Sequence, residues 1–350
     1  MKLAVVLFNL GGPDSLDTVE PFLRNLFNDL FSNPGINNLP GLVRRPLARF
    51  VAARRAPVAR KIFDHLGGRS PILAETEAQA LALEKELACR GLQAKCFIAM
   101  RCWHPMTVAA AQAVKDWSAD EIVLLPLYPQ YSTTTTRSSL AEWRRVAKLL
   151  RLTQPQHEAC CYPFEPGFIT ALTEGLKEAL ARRNPAWTYR VLFSAHGLPK
   201  KVVERGDPYQ WQVERTVEAI LTHLDMLGVD STICYQSRVG RSEWIGPATD
   251  AEIRRAGTSG KGVIVVPVAF VSEHSETLVE LDIEYGKLAR ASGVPDYIRV
   301  PVVRTHPKFI AGLATLVNAA LHAKSPVTCA PGRICPLDRI CGHDATIAHA

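Results

Sequence analysis

No run of apolar residues in this 350-residue chain approaches the roughly 20 needed to cross a bilayer as a helix, which argues against a helical membrane span. The start, MKLAVVLFNL, is interrupted by Asn9 and then by Gly11-Gly12, too early for a secretory signal, so the expectation is a cytoplasmic protein. No nucleic-acid motif accompanies the basic balance. Lys and Arg number 41 against 34 Asp and Glu, a formal net charge of +7, and the partners this favours are anionic lipid or a carboxylate-bearing small molecule. Nine cysteines, an odd number in a chain without an export signal, argue for reduced thiols or metal ligation over a disulfide framework. With 47% hydrophobic and 21% charged residues, what remains is a globular chain long enough for two cores.

Short apolar runs alternate with longer helical patterns: LAVVLFNL, CFIAM, EIVLLPLY, YRVLFSA, TICYQ, GVIVVPVAF and YIRVPVV. That alternation is the pattern of βαβ units, so the fold expected is α/β, two lobes each with a parallel sheet flanked by helices. A weak internal repeat supports two similar halves: VVLFNLGG resembles VLFSAHG, and IVLLPLYPQYS resembles VIVVPVAFVSEHS. The repeats lie further apart in the N-terminal half, which therefore carries an insertion, placed at about residues 14–57. Domains follow as 1–155, 156–324 and a cysteine-containing tail, 325–350. The last helix before Lys324 is a candidate to cross back onto the first lobe. In the insertion Phe22, Leu23, Leu26, Phe27, Leu30 and Phe31 recur at helical spacing ahead of a basic stretch. Such a stripe packs as an extra core helix or forms an apolar lip, with arginines facing anionic headgroups in peripheral membrane contact.

The chemistry concentrates where two strands end. YRVLFSA runs into His196-Gly197, and GVIVVPVAF runs into VSEHSETLVELDIEY. If that stretch is an α-helix, Glu276, Glu280 and Glu284 fall within about 80° of arc, with Leu278, Leu281 and Tyr285 on the opposite face. A solvated face is the usual meaning of such a ladder. Its position after a buried strand points instead to a ligand site, since open α/β sheets bind ligands at the carboxyl ends of their strands. One histidine and several carboxylates converging there suit a divalent metal or proton removal. His65, His104, His223 and His306 are read as ordinary structural hydrogen-bonders.

LFNLGGPDS, RRAP…GGRSPI, MRCWHP, LPLYPQYSTTTT, FSAHGLPKKVVERGDPY, CYQSRVGRSEWIGPATD and VAFVSEHSETLVELDIEY occur in an order and spacing that resemble the ferrochelatase family. The resemblance implies two Rossmann-like lobes that bind no nucleotide and a chelatase that inserts Fe²⁺, its substrate, into a porphyrin, the last step of haem synthesis. It places His196 at the pyrrole nitrogens as proton acceptor and metal ligand, and Glu276 opposite it as the second ligand. His274 then orients or charges Glu276, and Glu280 continues the polar track. Arg55 and Ser70 match propionate positions; Arg101, Tyr128, Tyr131 and Trp244 match positions lining the cleft. Leu10 stands where coproporphyrin-using members carry tyrosine, and the apolar lip suits the less polar protoporphyrin IX, which is the substrate expected; Val58 stands where animal members carry lysine, so propionate contacts are fewer or supplied from elsewhere. Coproporphyrin III is the alternative, and a two-lobed metal or tetrapyrrole carrier without catalysis is the rival from another class. Monomer and homodimer both remain open.

The tail CAPGRICPLDRIC spaces Cys329, Cys335 and Cys341 evenly in a segment poor in apolar residues, which offers thiols little core to bury in. The resemblance implies a [2Fe–2S] cluster there, with a fourth thiolate from Cys160 or Cys161, because Thr133 occupies the position of the animal ligand. A reduced, metal-free tail is the competing reading.

Overall fold

A computed structural model describes residues 1–29, 40–226, 228–238, 242–323, 325, 327–328 and 333–342. The chain divides into two compact units, residues 1–162 with 310–350, and residues 163–309. The helix Pro307–Leu321 groups with the first unit from Ile310 onward, where a division at residue 324 would have left it in the second. Within the first unit, the Arg90 guanidinium ties that helix to the helix Ile72–Cys89 by donating to the carbonyl of Ala311 and to Thr315 Oγ1.

The first unit is built on β1 (Leu3–Asn9), β2 (Ala94–Met100), β3 (Glu121–Pro126) and β4 (Gln156–Ala159), joined at the edge by the two-residue β9 (Val327–Thr328). All pairs are parallel, in the order β2-β1-β3-β4-β9. The second unit has β5 (Tyr189–His196), β6 (Ser231–Gln236), β7 (Gly262–Pro267) and β8 (Tyr297–Arg299), parallel in the order β6-β5-β7-β8. Strand by strand this repeats the first sheet, which is the structural form of the internal repeat. The central strands are apolar end to end because helices cover both faces: Leu3 to Phe8 and Val263 to Val266 are fully buried. The short β4 was not legible as a strand. It carries His157 and Glu158, whose partners are the carboxylate of Glu121 and the guanidinium of Arg144.

The insertion folds as two helices, Val19–Asn28 and Gly41–Asp64. Phe22 and Leu23 are buried, and Leu26 and Phe27 pack against the same cluster, with Phe22 meeting Phe63 edge-to-face at 6.4 Å. The predicted stripe is therefore core over these four residues; Leu30 and Phe31 lie outside the described residues. Ala48, Ala52 and Ala56 recur every fourth residue along the second helix and are buried, a small-residue face on which another element can lie close. Its other face is apolar and exposed: Leu42 is 92% exposed and Phe50 62%, with Val43 and Val58 alongside. Among the described residues of the insertion, the exposed large apolar side chains belong to the second helix. None of the helices among the described residues is long and apolar enough to cross a membrane.

Candidate metal and proton site

β5 and β7 are neighbours in register, and β5 and β6 end side by side with His196 opposite Gln236. The carboxyl edge of the second sheet therefore collects the end of β5, the end of β6 and the segment after β7. At Gly197 a β-carbon would sit 3.0 Å from the carbonyl of Gln236 and 3.1 Å from the ring of Trp244, so glycine is required by close approach of two neighbours. That approach seats Trp244 directly beside the base of His196.

The segment after β7 is helical from Glu276 to Glu284, but as a π-helix: the amide of Tyr285 donates to the carbonyl of Glu280, five residues back. The expected α-helical face therefore does not form as drawn. Tyr285, expected on the far side, lies with the acids, its hydroxyl donating to Glu280 Oε1 at 3.0 Å, because five-residue spacing returns to the same face when each turn is one residue wider. Glu276 and Glu280 turn into the site, whereas Glu284 is exposed.

His196 Nδ1 and Glu276 Oε2 are 2.9 Å apart, and His274 Nε2 is 3.8 Å from the same oxygen. Burial disfavours charge on Glu276, yet the charge and hydrogen bond of His196, with His274 behind them, hold its carboxyl well below the usual range. Burial likewise works against a protonated His196, and the negative charges of Glu276 and Glu280 prevail and raise its pKa. His274 has its ring 4.7 Å from that of Phe270, and its Nδ1 is buried without a partner in the structure.

Glu280 differs in kind from its neighbour. Its carboxylate accepts from the backbone amide of Ser237 at 2.8 Å, from Gln236 Nε2 at 3.2 Å, from the Tyr285 hydroxyl and, closely, from Ser237 Oγ. Burial and the charge of Glu276 nonetheless raise its pKa, against the pull of these donors. Four donors fix the carboxylate in place, so it acts as an electrostatic anchor better than as a group that swings with a metal. Ser237 makes this grip from a left-handed backbone, φ +61°, uncommon for a non-glycine residue. Ser237 and Gln236 were missed as site residues although the block CYQSRVG contains them, since nothing in its composition marks a carboxylate clamp.

The expected substrate residues of the first unit have varied environments. Ser70 is drawn against the Gly11-Gly12 turn: its amide donates to the carbonyl of Pro13, and a β-carbon on Gly12 would lie 2.5 Å from its hydroxyl. Leu10 packs against the buried cluster that contains Val19, Phe22, Phe63 and Cys102, and Arg55 is exposed. Arg101 is already engaged, with Nη2 2.6 Å from Asp29 Oδ1 and Nε donating to Ser138 Oγ. Tyr128 turns its hydroxyl inward, and burial pushes its pKa up. Tyr131 is almost fully buried, in a cluster with Cys160, Cys161, Val327, Cys335 and Cys341.

In that cluster the Cys335 thiol hydrogen-bonds with those of Cys161 and Cys341, which with burial drives its pKa far up. Cys160 abuts Gly342, where a β-carbon would come within 2.6 Å of its sulfur. Cys329 lies outside the described residues. Among those described, no three His, Cys, Asp or Glu side chains are already disposed as a cage for a single metal ion.

Two parallel sheets of matching strand order, with a histidine–carboxylate pair at one carboxyl edge, place the chain in the chelatase class of fold. The structure of SirB from Bacillus subtilis with Fe³⁺ covers 92% of the chain and 96% of its own length, with a TM-score of 0.52 at 14% identity. The sirohydrochlorin chelatase SirB from Bacillus subtilis subspecies spizizenii in complex with cobalt covers 91% and 95%, with a TM-score of 0.51 at 13% identity. At such identities the likeness is one of fold, and sequence decides the family. The ferrochelatase family model matches residues 2–321. The ferrochelatase of Caulobacter vibrioides (strain NA1000 / CB15N) is 51% identical over 340 residues, 96% of each chain, and that of Pelagibacter ubique (strain HTCC1062) 47% identical over 339, again 96% of each. The chain belongs to the ferrochelatase family, metal chelatases that insert iron into a porphyrin in haem synthesis.

Proposed function

We propose that the chain metallates protoporphyrin IX with Fe²⁺ and that His196 and Glu276 perform the chemistry. The observation that carries this reading is the 2.9 Å contact between His196 Nδ1 and Glu276 Oε2. Metallation exchanges two pyrrole N–H protons for one divalent ion. With Nδ1–H donated to Glu276, the other ring nitrogen, Nε2, is the atom that accepts a proton, and the imidazolium so formed is stabilised by Glu276 and Glu280. The two protons pass in turn through Nε2 to solvent, to which the His196 side chain is 37% exposed, and the neutral imidazole with Glu276 is a nitrogen–oxygen donor pair suited to ferrous iron. His274 backs Glu276, and Trp244, seated on Gly197, offers a ring face to the macrocycle.

Protoporphyrin is favoured over coproporphyrin by Leu10, whose environment is apolar, and Arg55 and Ser70 are assigned to its propionates. The exposed apolar face of Gly41–Asp64, flanked by Arg44, Arg54 and Lys61, supports peripheral contact with an anionic membrane surface. The thiol cluster fits a [2Fe–2S] centre in its donor chemistry. Cys160, Cys161, Cys335 and Cys341 are buried together, and Cys329, Cys335 and Cys341 would hold the centre with Cys160 or Cys161 as the fourth thiolate. Such a centre would tie the tail to the body of the chain through these thiolates, and its binding energy would become folding energy for the tail.

The test is anaerobic steady-state metallation, followed by porphyrin absorbance, with protoporphyrin IX and coproporphyrin III as competing substrates. Multiple turnovers with a higher kcat/KM on protoporphyrin are expected. A higher value on coproporphyrin would overturn the substrate assignment, and stoichiometric binding without turnover would leave a carrier.

A further inference from the structure

The π-helix is the unusual element of the site, and its wide register must be held by something outside it. An α-helix satisfies the same backbone with better geometry, so π-turns persist where tertiary contacts favour them. Two residues of β8 make such contacts. Tyr297 and Arg299 are two apart and so face the same side of the strand. The Tyr297 hydroxyl donates to the carbonyl of Leu281 at 2.7 Å. Arg299 grips the next residue, Asp282, as a fork: Nε to Oδ1 at 2.6 Å and Nη2 to Oδ2 at 2.8 Å. Its remaining arm, Nη1, reaches Glu273 Oε1 at 2.7 Å. Glu273 precedes His274 and Glu276, so one nearly buried guanidinium, 11% exposed, spans the segment from before its first catalytic residue to the middle of the helix.

We infer that Arg299, seconded by Tyr297, is a positioning residue for metallation: β8 clamps the Glu276–Glu284 segment in its π register and thereby sets Glu280 relative to Glu276. This rests on the roles proposed above for the site. Relaxation to an α-helix would rotate every residue after the first turn. Glu276 could keep His196, but Glu280 would leave the donors of Ser237 and Gln236, and the charge it directs at His196 would be misplaced. Bidentate recognition is what an arginine supplies and a lysine does not.

The experiment uses the full-length protein and Zn²⁺ with protoporphyrin IX as the probe. Arg299→Met, Arg299→Lys and Tyr297→Phe are compared with wild type for kcat, porphyrin KM and amide hydrogen exchange across residues 276–285. Loss of such a supporting contact is expected to lower kcat about 10–100-fold for Arg299→Met, with KM unchanged within about twofold. Arg299→Lys should recover part of kcat, and exchange should quicken in the segment. Should Arg299→Met not fold, Tyr297→Phe removes a single hydroxyl and decides the matter by the same split. Unchanged kcat and unchanged exchange in the folded variants would overturn the clamp. If wild type itself fails to metallate, the catalytic reading falls, while the exchange data still judge the clamp.

Discussion

Replacing Glu276 with glutamine is the sharpest perturbation, because it preserves shape and removes only charge. In the native pair His196 Nδ1 donates across 2.9 Å to an anionic oxygen. Hydrogen bonds to charged groups contribute about 1.5–3 kcal/mol, roughly twice a neutral one. The pair is not sealed from water: the His196 side chain is 37% exposed and that of Glu276 25%, so screening favours the lower half of that range. Because glutamine keeps a neutral hydrogen bond worth about half as much, the loss is the difference, about 0.8–1.1 kcal/mol of stabilisation of the imidazolium, a fall in kcat of about 4–6-fold at 1.36 kcal/mol per decade. The pH dependence follows from the shifts. Glu276 and Glu280 raise His196 against its burial, so deleting the first charge lowers its pKa, and the limb of the pH–rate profile assigned to His196 moves to lower pH. For stability, the depressed pKa of Glu276 contributes above the ordinary glutamate value of 4.5 and is lost as pH falls below it. The raised pKa of His196 contributes below the ordinary 6.5 and is lost as pH rises through the raised value. Both describe one ion pair, which should stabilise most between these limits. Steady-state metallation and thermal unfolding from pH 4 to 9 measure both effects. A variant within threefold of wild-type kcat, with an unmoved limb, would refute the reasoning.

His196→Ala should cost about 10²–10⁴-fold in kcat, as loss of a general base does, while porphyrin binding followed by fluorescence stays near wild type. Glu280→Gln should fall less steeply in kcat than Glu276→Gln, since Glu280 makes no hydrogen bond to His196 and the Ser237 amide and Tyr285 hydroxyl can still donate to the amide oxygen; a larger loss in steady-state assays would reverse the ranking. Anaerobically purified protein should carry iron and acid-labile sulfide in about equal amounts with visible charge-transfer absorption, abolished by Cys335→Ser. A colourless wild-type preparation without sulfide would remove the cluster. Leu42→Asp with Phe50→Asp should release the protein from phosphatidylglycerol vesicles in a flotation assay, and equal flotation of wild type and variant would refute the lipid contact.

The order of apolar runs was enough to indicate two parallel-sheet units, because a strand buried on both faces has to be apolar throughout, and Leu3–Phe8 and Val263–Val266 are. That His196 and Glu276 meet followed from the same pattern, each lying after a strand of one parallel sheet, while their roles rested on the family resemblance. Three features were decided by partners distant in the chain. The apolar stripe from Phe22 to Phe27 could have been surface or core, and Ala52, Ala56 and Phe63 made it core. That Tyr131 packs with Cys160, Cys161, Cys335 and Cys341 was settled by the tail folding back onto the body of its unit. The four-residue spacing of Glu276, Glu280 and Glu284 describes an α-helix in isolation, and the backbone of an isolated segment would take that register. It winds wider because Ser237, just after β6, and Tyr297 and Arg299 of β8 meet it, and hydrogen bonds to fixed partners outside a helix can outweigh the small preference that would close its turns.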